Sequence, residues 1–176
     1  GKVVGGWLVE SQVLITANGK EVKFAGYVTF NEAKKAIRGW LVESQVLIAA
    51  NGKEIKFSRY AYTAFNAAGK VIEGMLAESQ VLTATNGKEI EFLGYITFNE
   101  AGKVENGCLT KPQVLMAANG KEIKFLGYVT FNAAGEVIEG ILAEPQVLTA
   151  ANGKKIKFSE NAYITFNGAG EVVTGF

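Results

Sequence analysis

The sequence lacks the residues on which most catalytic and metal sites depend. It contains no histidine and no aspartate, so all 17 acidic residues are glutamates. These absences exclude a Ser-His-Asp triad, a histidine-ligated metal and an aspartate-rich calcium loop. The single cysteine, Cys108, permits neither an internal disulfide nor a thiolate zinc cluster. We therefore predict no metal, no cofactor and no catalytic residues, and we expect a protein that is not an enzyme.

Charge and apolar runs exclude two further classes of partner. The 18 basic and 17 acidic residues leave a net charge of +1, which does not favour nucleic acid. No apolar run reaches the roughly 20 residues that a membrane-spanning helix needs. The composition, with 48% hydrophobic and 20% charged residues, is typical of an ordered globular chain. We predict neither a nucleic-acid partner nor a transmembrane segment.

One sequence pattern repeats along the whole chain. A glycine followed by apolar residues recurs at intervals of 33, 35, 33, 33 and 35 residues, at Gly6, Gly39, Gly74, Gly107, Gly140 and Gly175. We assign a single repeat domain, residues 1–176, whose repeats 1 to 5 are residues 6–38, 39–73, 74–106, 107–139 and 140–174. A partial sixth repeat at residues 175–176 leads us to expect a longer native protein.

Each repeat consists of about four short segments that predict strands. Segments of the "KEIKF" and "YITF" kind alternate polar and apolar residues, as half-buried strands do. Segments such as "QVLIAA" and "VIEGML" are apolar on both faces, which predicts central strands. The Asn-Gly pairs predict hairpins with a type I′ turn, in which both residues need a positive φ. The two longer repeats carry their extra residues at "FSRYAY" and "FSENAY", which indicates a surface loop.

These patterns predict an all-β fold of five tandem antiparallel β-meander repeats. A parallel solenoid is disfavoured because it stacks the lysine after each Asn-Gly pair in one column of like charge. An open, elongated or rolled sheet accommodates all six copies of the strand that begins as "GKVVGGW" and ends as "GEVVTGF". The alternative is a closed five-bladed β-propeller, which has places for only five copies. We favour the open sheet.

Segments such as "GYITFNEAGKVENGCL" resemble the bacterial MORN-like tandem repeats, in which a short glycine-bounded hairpin recurs along an extended sheet. The resemblance touches every repeat, although the repeat here is longer and less rich in tyrosine and tryptophan. It implies a scaffold or interaction role, sometimes at a membrane or cell surface. It implies no catalytic residues.

Two sets of side chains are candidates for ligand binding. The aromatic set occupies equivalent places in successive repeats and comprises Trp7, Trp40, Tyr27, Tyr62, Tyr95, Tyr128 and Tyr163. The polar set holds one place in each repeat and comprises Gln12, Gln45, Gln80, Gln113 and Gln146. Exposed rings stack on sugars or line protein-binding surfaces. The competing interpretation is cross-strand packing for the rings and satisfaction of backbone groups for the glutamines.

We expect a non-catalytic structural or adhesive repeat protein. It would be a scaffold, a surface or fibre component, or a protein-binding module, with self-association or another protein as its partner. The alternative is a multivalent carbohydrate-binding lectin with about one shallow site per repeat. An adhesive role favours an extracytoplasmic or cell-surface location. Only Glu105 and Asn106 stand out from the usual "VIEG" segment, without an identifiable partner.

Overall fold

The computed structural model describes residues 4–175, and this part of the chain is built from β-strands and turns. No helix occurs in this range, so none spans a bilayer there. The predicted all-β class is confirmed. The strands are β1 (Val4–Trp7), β2 (Gln12–Ile15), β3 (Glu21–Phe30), β4 (Ala36–Leu41), β5 (Gln45–Ile48), β6 (Glu54–Phe57), β7 (Tyr62–Phe65), β8 (Val71–Met75), β9 (Gln80–Thr83), β10 (Glu89–Phe98), β11 (Val104–Met116), β12 (Glu122–Phe131), β13 (Val137–Leu142), β14 (Gln146–Thr149), β15 (Lys155–Phe158), β16 (Tyr163–Phe166) and β17 (Val172–Gly175).

The main sheet is open. Its strand order is β1-β3-β4-β7-β8-β10-β11-β12-β13-β16-β17, and neighbouring strands run antiparallel. In the described range no pairing joins β1 to β17, so the alternative of a closed five-bladed propeller is wrong. The remaining strands attach at the side: β2 pairs with β3, β9 with β10, β5 with β6, and β14 with β15.

Two compact modules divide the repeats. The N-terminal module contains the described residues up to Ser79 together with Gly94–Lys103. The C-terminal module contains Gln80–Leu93 and the described residues from Val104 onward. Within each module, successive repeats are joined by the same kind of contact between a phenylalanine and a glycine, which is described below.

Each repeat forms two hairpins, named here A and B. Hairpin A surrounds the Asn-Gly pair and hairpin B surrounds the later Asn-x-x-Gly turn; in repeat 2 they are β5–β6 and β7–β8. The B hairpins build the main sheet, so the prediction of central "VIEG" strands is confirmed. The prediction of a central "QVLIAA" strand is wrong, because β5 forms a strand ladder only with β6 in the described chain. Its Leu47 is buried while Val46 is exposed, as in a strand that covers a core.

Glycine alone closes the Asn-Gly turns. Gly52 has a φ of +81°, whereas Asn51 lies outside the left-handed region. The Asn51 side-chain oxygen instead accepts a hydrogen bond from the backbone N–H of Lys53 at 2.9 Å. The predicted type I′ turn is therefore wrong. The asparagine stabilises the turn through its side chain, and the glycine supplies the single left-handed residue.

The chain turns a corner between hairpins A and B. In repeats 1, 3 and 4 a glycine with positive φ, such as Gly26 at +68°, lies at this corner within a continuous strand. The two-residue insertions break the strand, and Tyr60 and Asn161 adopt φ values of +57° and +65° in place of glycine. Both inserted segments are exposed, which confirms the predicted surface loop.

The core lies between the A hairpins and the inner face of the sheet, and contacts within it join successive repeats. The phenylalanine that ends hairpin A is fully buried in repeats 1 to 4. Its ring rests on the glycine that begins the next repeat, where an added Cβ would lie 2.6–2.9 Å from the ring carbon Cδ1. The pairs are Phe24 with Gly39, Phe57 with Gly74, Phe92 with Gly107, and Phe125 with Gly140. A side chain at these glycines would displace the ring.

We predict that Gly107→Ala lowers the free energy of unfolding by about 1–3 kcal/mol, because its Cβ would overlap the buried ring of Phe92. Gly6→Ala is the matched control, since a Cβ at Gly6 meets no described atom within 4 Å. We expect the control to change stability by less than about 0.5 kcal/mol. Urea unfolding of both variants checks this, and equal losses would contradict the steric argument.

Thr63 places a hydroxyl in the core. Its side chain is fully buried, and its oxygen has no hydrogen-bond partner in the described part of the chain. Repeats 1, 3, 4 and 5 have an apolar residue at this position, namely Val28, Ile96, Val129 and Ile164. The hydroxyl therefore carries an uncompensated desolvation cost.

Thr63→Val should raise the free energy of unfolding by about 1 kcal/mol, because it removes that hydroxyl without changing the shape of the side chain. The control is Thr130→Val, since Thr130 lies half-buried on the outer face and donates to Glu139 at 3.4 Å. Thermal unfolding would show stabilisation for the first variant only. A destabilised Thr63→Val variant would mean that the hydroxyl has an unrecognised partner.

Candidate binding surface

In each module, aromatic and apolar side chains form a ladder on the outer face of the sheet. The residue after each repeat glycine pairs directly with the tyrosine of the same repeat. In the N-terminal module the pairs are Trp7 with Tyr27, Trp40 with Tyr62, and Met75 with Tyr95. In the C-terminal module they are Cys108 with Tyr128 and Ile141 with Tyr163. All five tyrosines thus lie on the face opposite the buried Val/Ile and Phe side chains, as their alternation predicts. Phe176, the sixth residue at this place, lies outside the described residues.

Four rings in repeats 1 and 2 form an aromatic cluster, which consists of Trp7, Tyr27, Trp40 and Tyr62. Trp7 packs edge-on against Tyr27 with ring centroids 5.8 Å apart, and Trp40 packs the same way on Tyr62 at 5.9 Å. Gly26 lies between the two pairs, since its Cβ would be 3.8 Å from both indoles. The indoles nevertheless remain accessible: Trp7 is 79% exposed and Trp40 is 46% exposed.

The later tyrosines are held by neighbouring side chains. The hydroxyl of Tyr95 donates to Glu73, that of Tyr128 to Asn106 at 3.2 Å, and that of Tyr163 to Glu139 at 3.0 Å. Each acceptor lies two residues before the ladder residue opposite the tyrosine, on the same face of its strand. Tyr128 is therefore the partner of Asn106 that the sequence pattern left unidentified.

The two tyrosines of the aromatic cluster lack such an acceptor. The places equivalent to these acceptors, two residues before Trp7 and Trp40, hold Gly5 and Arg38. Neither hydroxyl has a hydrogen-bond partner among the residues that the structure describes, and a side chain at Gly5 would overlap the hydroxyl of Tyr27. Arg38 is exposed two residues before Trp40 and on the same face. Arg38 was not among the residues predicted from the sequence. The available signal was that one of only two arginines in the chain stands there in place of the usual glutamate.

The aromatic cluster combines flat apolar rings with hydrogen-bond donors. The two indoles present apolar faces, and the two phenol hydroxyls and the guanidinium of Arg38 are polar groups at their edges. Such a surface can stack on rings, sugars or aliphatic chains and can bind an acceptor group on the same ligand. Among residues 4–175 there is no cluster of three potential metal-ligating side chains.

The predicted glutamines lie apart from the aromatic residues. Each pairs with the phenylalanine that ends its own hairpin A, as Gln45 does with Phe57, so each belongs to hairpin A and not to the outer face of the sheet. The amide nitrogen of Gln45 is buried without a hydrogen-bond partner in the described range, and Gln146 donates to Glu144 at 3.4 Å. Within that range no glutamine side chain bonds a backbone group. The structure thus does not bring the two candidate sets together.

The pKa of Tyr163 is raised by its surroundings on the outer face. Burial is the main cause that raises the pKa of Tyr163 above its ordinary value of 10.0. The hydrogen bond to Glu139 and the negative charge of that carboxylate raise the pKa further. The hydroxyl therefore stays protonated, and bonded to Glu139, above the ordinary tyrosine range.

No protein-family model matches the chain, and no curated protein matches it significantly. The resemblance of the repeats to MORN-like repeats therefore stays an expectation. Function has to be inferred from the surface of the molecule.

We predict that Glu139→Gln lowers the pKa of Tyr163 part of the way towards 10.0, because it removes the charge but leaves the burial. In the wild type, the stability that Tyr163 contributes is fully present below pH 10.0 and is lost as the pH rises through its raised folded pKa. The phenolate absorbance of the wild type minus that of Tyr163→Phe isolates this titration. An identical titration in the Glu139→Gln background would contradict the assignment.

Proposed function

We propose that the chain is a non-catalytic adhesive repeat protein that binds other proteins through the aromatic cluster. The observation that carries the proposal is the exposure of Trp7 and Trp40, at 79% and 46%, beside Arg38 on one face. Trp, Tyr and Arg are the residue types that contribute most to the affinity of protein interfaces. Contiguous exposed apolar groups of this kind mark interaction sites on protein surfaces.

The geometry keeps the cluster ready for binding. Each indole is held by an edge-to-face contact with a tyrosine on the neighbouring strand, so little side-chain freedom is lost when a partner docks. The backbone beneath is a sheet strand, which positions side chains more rigidly than a loop does. Burial of one such indole at an interface contributes on the order of 2 kcal/mol.

The outer face of the C-terminal module supports a scaffold role for the remaining repeats. The ladder residues there are Cys108 and Ile141, both half-buried, and the opposing tyrosines are bonded to Asn106 and Glu139. Its tyrosine hydroxyls are already hydrogen-bonded and its apolar side chains are smaller than tryptophan. This face therefore has fewer groups with which to bind a partner. We therefore place the binding surface in repeats 1 and 2.

Panning a phage-displayed random peptide library on the wild-type protein tests the proposal. We expect enriched peptides to lose at least tenfold in affinity on Trp7→Ala and on Trp40→Ala, because each change removes a central apolar contact. The matched control is Val147→Ala, which removes an equally exposed apolar side chain from hairpin A, away from the cluster. Peptides that bind all of these variants equally would contradict the proposal.

A lectin is the second candidate, and one observation favours it. The hydroxyls of Tyr27 and Tyr62 have no partner among the described residues and lie beside indole faces of the kind on which sugar rings stack. The differences between repeats support one site, and not one in each repeat. Binding on a glycan array that disappears with Trp7→Ala and Trp40→Ala, in the absence of peptide binding, would favour this function over the first.

A further inference from the structure

Successive repeats are also joined where their turns meet. In repeats 1 to 4, the turn of hairpin A lies against the turn of hairpin B in the following repeat, at a glycine with positive φ. An added Cβ at Gly102 would be 2.7 Å from the backbone oxygen of Ala50, and one at Gly170 would be 2.5 Å from the Cα of Asn119. Gly69 and Gly135 make the equivalent contacts with Asn18 and Asn86. All four glycines are buried, so the contact itself excludes a side chain.

Lys34 occupies this glycine position in repeat 1. Its φ of +58° is the left-handed conformation that glycine adopts in the other four repeats and that a side chain disfavours. Lys34 is exposed, and the described chain contains no earlier repeat whose hairpin A would lie against it. Among the described B turns, Lys34 is the one residue at this position that has a side chain. Its turn is also the one that no hairpin A turn covers.

Next to Lys34 lies the surface of repeat 1 that corresponds to the one covered by hairpin A of the preceding repeat in later repeats. Phe30 is half-buried there, whereas its equivalents Phe65, Phe98, Phe131 and Phe166 are buried. An open cavity of about 680 Å³ is lined by Val4, Phe30, Asn31, Glu32 and Lys34. In the interior of the array, a hairpin A of the preceding repeat fills the equivalent place, as Phe24 does when it packs edge-on against Phe65 at 6.2 Å.

Hairpin A of repeat 5 exposes the apolar surface that, in the other repeats, packs against the following repeat. Ile156 on β15 is 40% exposed, whereas its equivalents Val22, Ile55, Ile90 and Ile123 are 0–4% exposed. Phe158 is half-buried, although the equivalent rings in the other repeats are fully buried. The apolar side of hairpin β14–β15 thus lacks the cover that the next repeat provides elsewhere.

The strands at the two ends of the main sheet are copies of each other. β17 belongs to the segment Val-Val-Thr-Gly, and β1 belongs to the segment Val-Val-Gly-Gly. β1 pairs with β3 in the register that β4 uses with β7, and all four of its residues are exposed. A strand of the β17 sequence can therefore pair with β3 in place of β1.

We propose that the face around Phe30 binds hairpin β14–β15 of a second copy of this chain, and that the side chain of Lys34 blocks this binding in the wild type. In the joint, β17 of one copy replaces β1 of the next, and Phe158 meets Phe30 as Phe24 meets Phe65. The Cβ of Lys34 stands where the Asn152 turn of the incoming hairpin has to lie. The inference rests on the proposed structural role of the repeats. Because β1 carries Trp7, the joint would remove that indole from the aromatic cluster, so peptide binding has to be measured on the monomer.

The test is the oligomeric state of Lys34→Gly, measured by sedimentation velocity over a wide range of concentration. Glycine suits the backbone conformation at this position, so we expect the variant to fold. Its average mass should rise with concentration to twice the monomer mass or more, while the wild type stays monomeric over the same range. Lys35→Gly removes the same charge from the neighbouring residue, and it should leave the protein monomeric.

A second substitution on the other half of the joint shows which contact is responsible. Lys34→Gly combined with Ile156→Glu should return to the monomer, because Ile156 is exposed in one copy and buried in the joint. Lys34→Gly combined with Val147→Glu should still associate, since Val147 is 54% exposed and its equivalents in the other repeats are exposed too. Association that survives Ile156→Glu would overturn the proposal.

A monomeric Lys34→Gly variant at every concentration would also overturn the proposal. That result is distinguishable from a failure of the proposed function. Peptide binding to the aromatic cluster depends on Trp7 and Trp40, and it can be measured on the same Lys34→Gly protein.

Discussion

The contact of a buried phenylalanine with the glycine of the next repeat is the interaction on which the rest of the array depends. Each A hairpin covers the sheet only because the strand beneath it has no side chain where the ring lies, as at Gly107 under Phe92. The ring and the glycine belong to different repeats, so the contact links neighbours and requires each repeat to have the next one beside it. A structure of this kind is stabilised by nearest-neighbour interfaces.

The same contact also determines which residues reach the outer face. Successive side chains of a strand point to opposite faces, so a glycine that faces the core places the following residue outside. That residue is Trp40 after Gly39 and Cys108 after Gly107, and its size varies without any cost to the core. Repeats with one common interior therefore carry different exteriors. Because of this freedom, repeats 1 and 2 can present an aromatic surface while later repeats remain plainer.

Repeats 1 and 5 differ from the other repeats in the burial of two residues. Phe30 is half-buried and Ile156 is 40% exposed, whereas their counterparts in the other repeats are buried, and each belongs to one side of the contact between repeats. A repeat protein with two complementary ends tends to grow by head-to-tail addition. Lys34, in a backbone conformation that costs a side chain about 1–2 kcal/mol, stands where growth would begin.

The sequence by itself determined the period, the all-β class, the outward tyrosines and the position of the exposed insertions, because these depend on alternation and turn residues that act within a few positions. The open order of strands, the edge position of the "QVL" strands and the contact of Gly107 with Phe92 were decided by the tertiary structure. The turn type escaped prediction because Asn-Gly suits more than one turn, and here the asparagine side chain accepts a hydrogen bond from the backbone while glycine alone has a positive φ. Arg38 and Lys34 escaped it for a related reason: what faces them depends on strand register and on the next repeat, and neither is local.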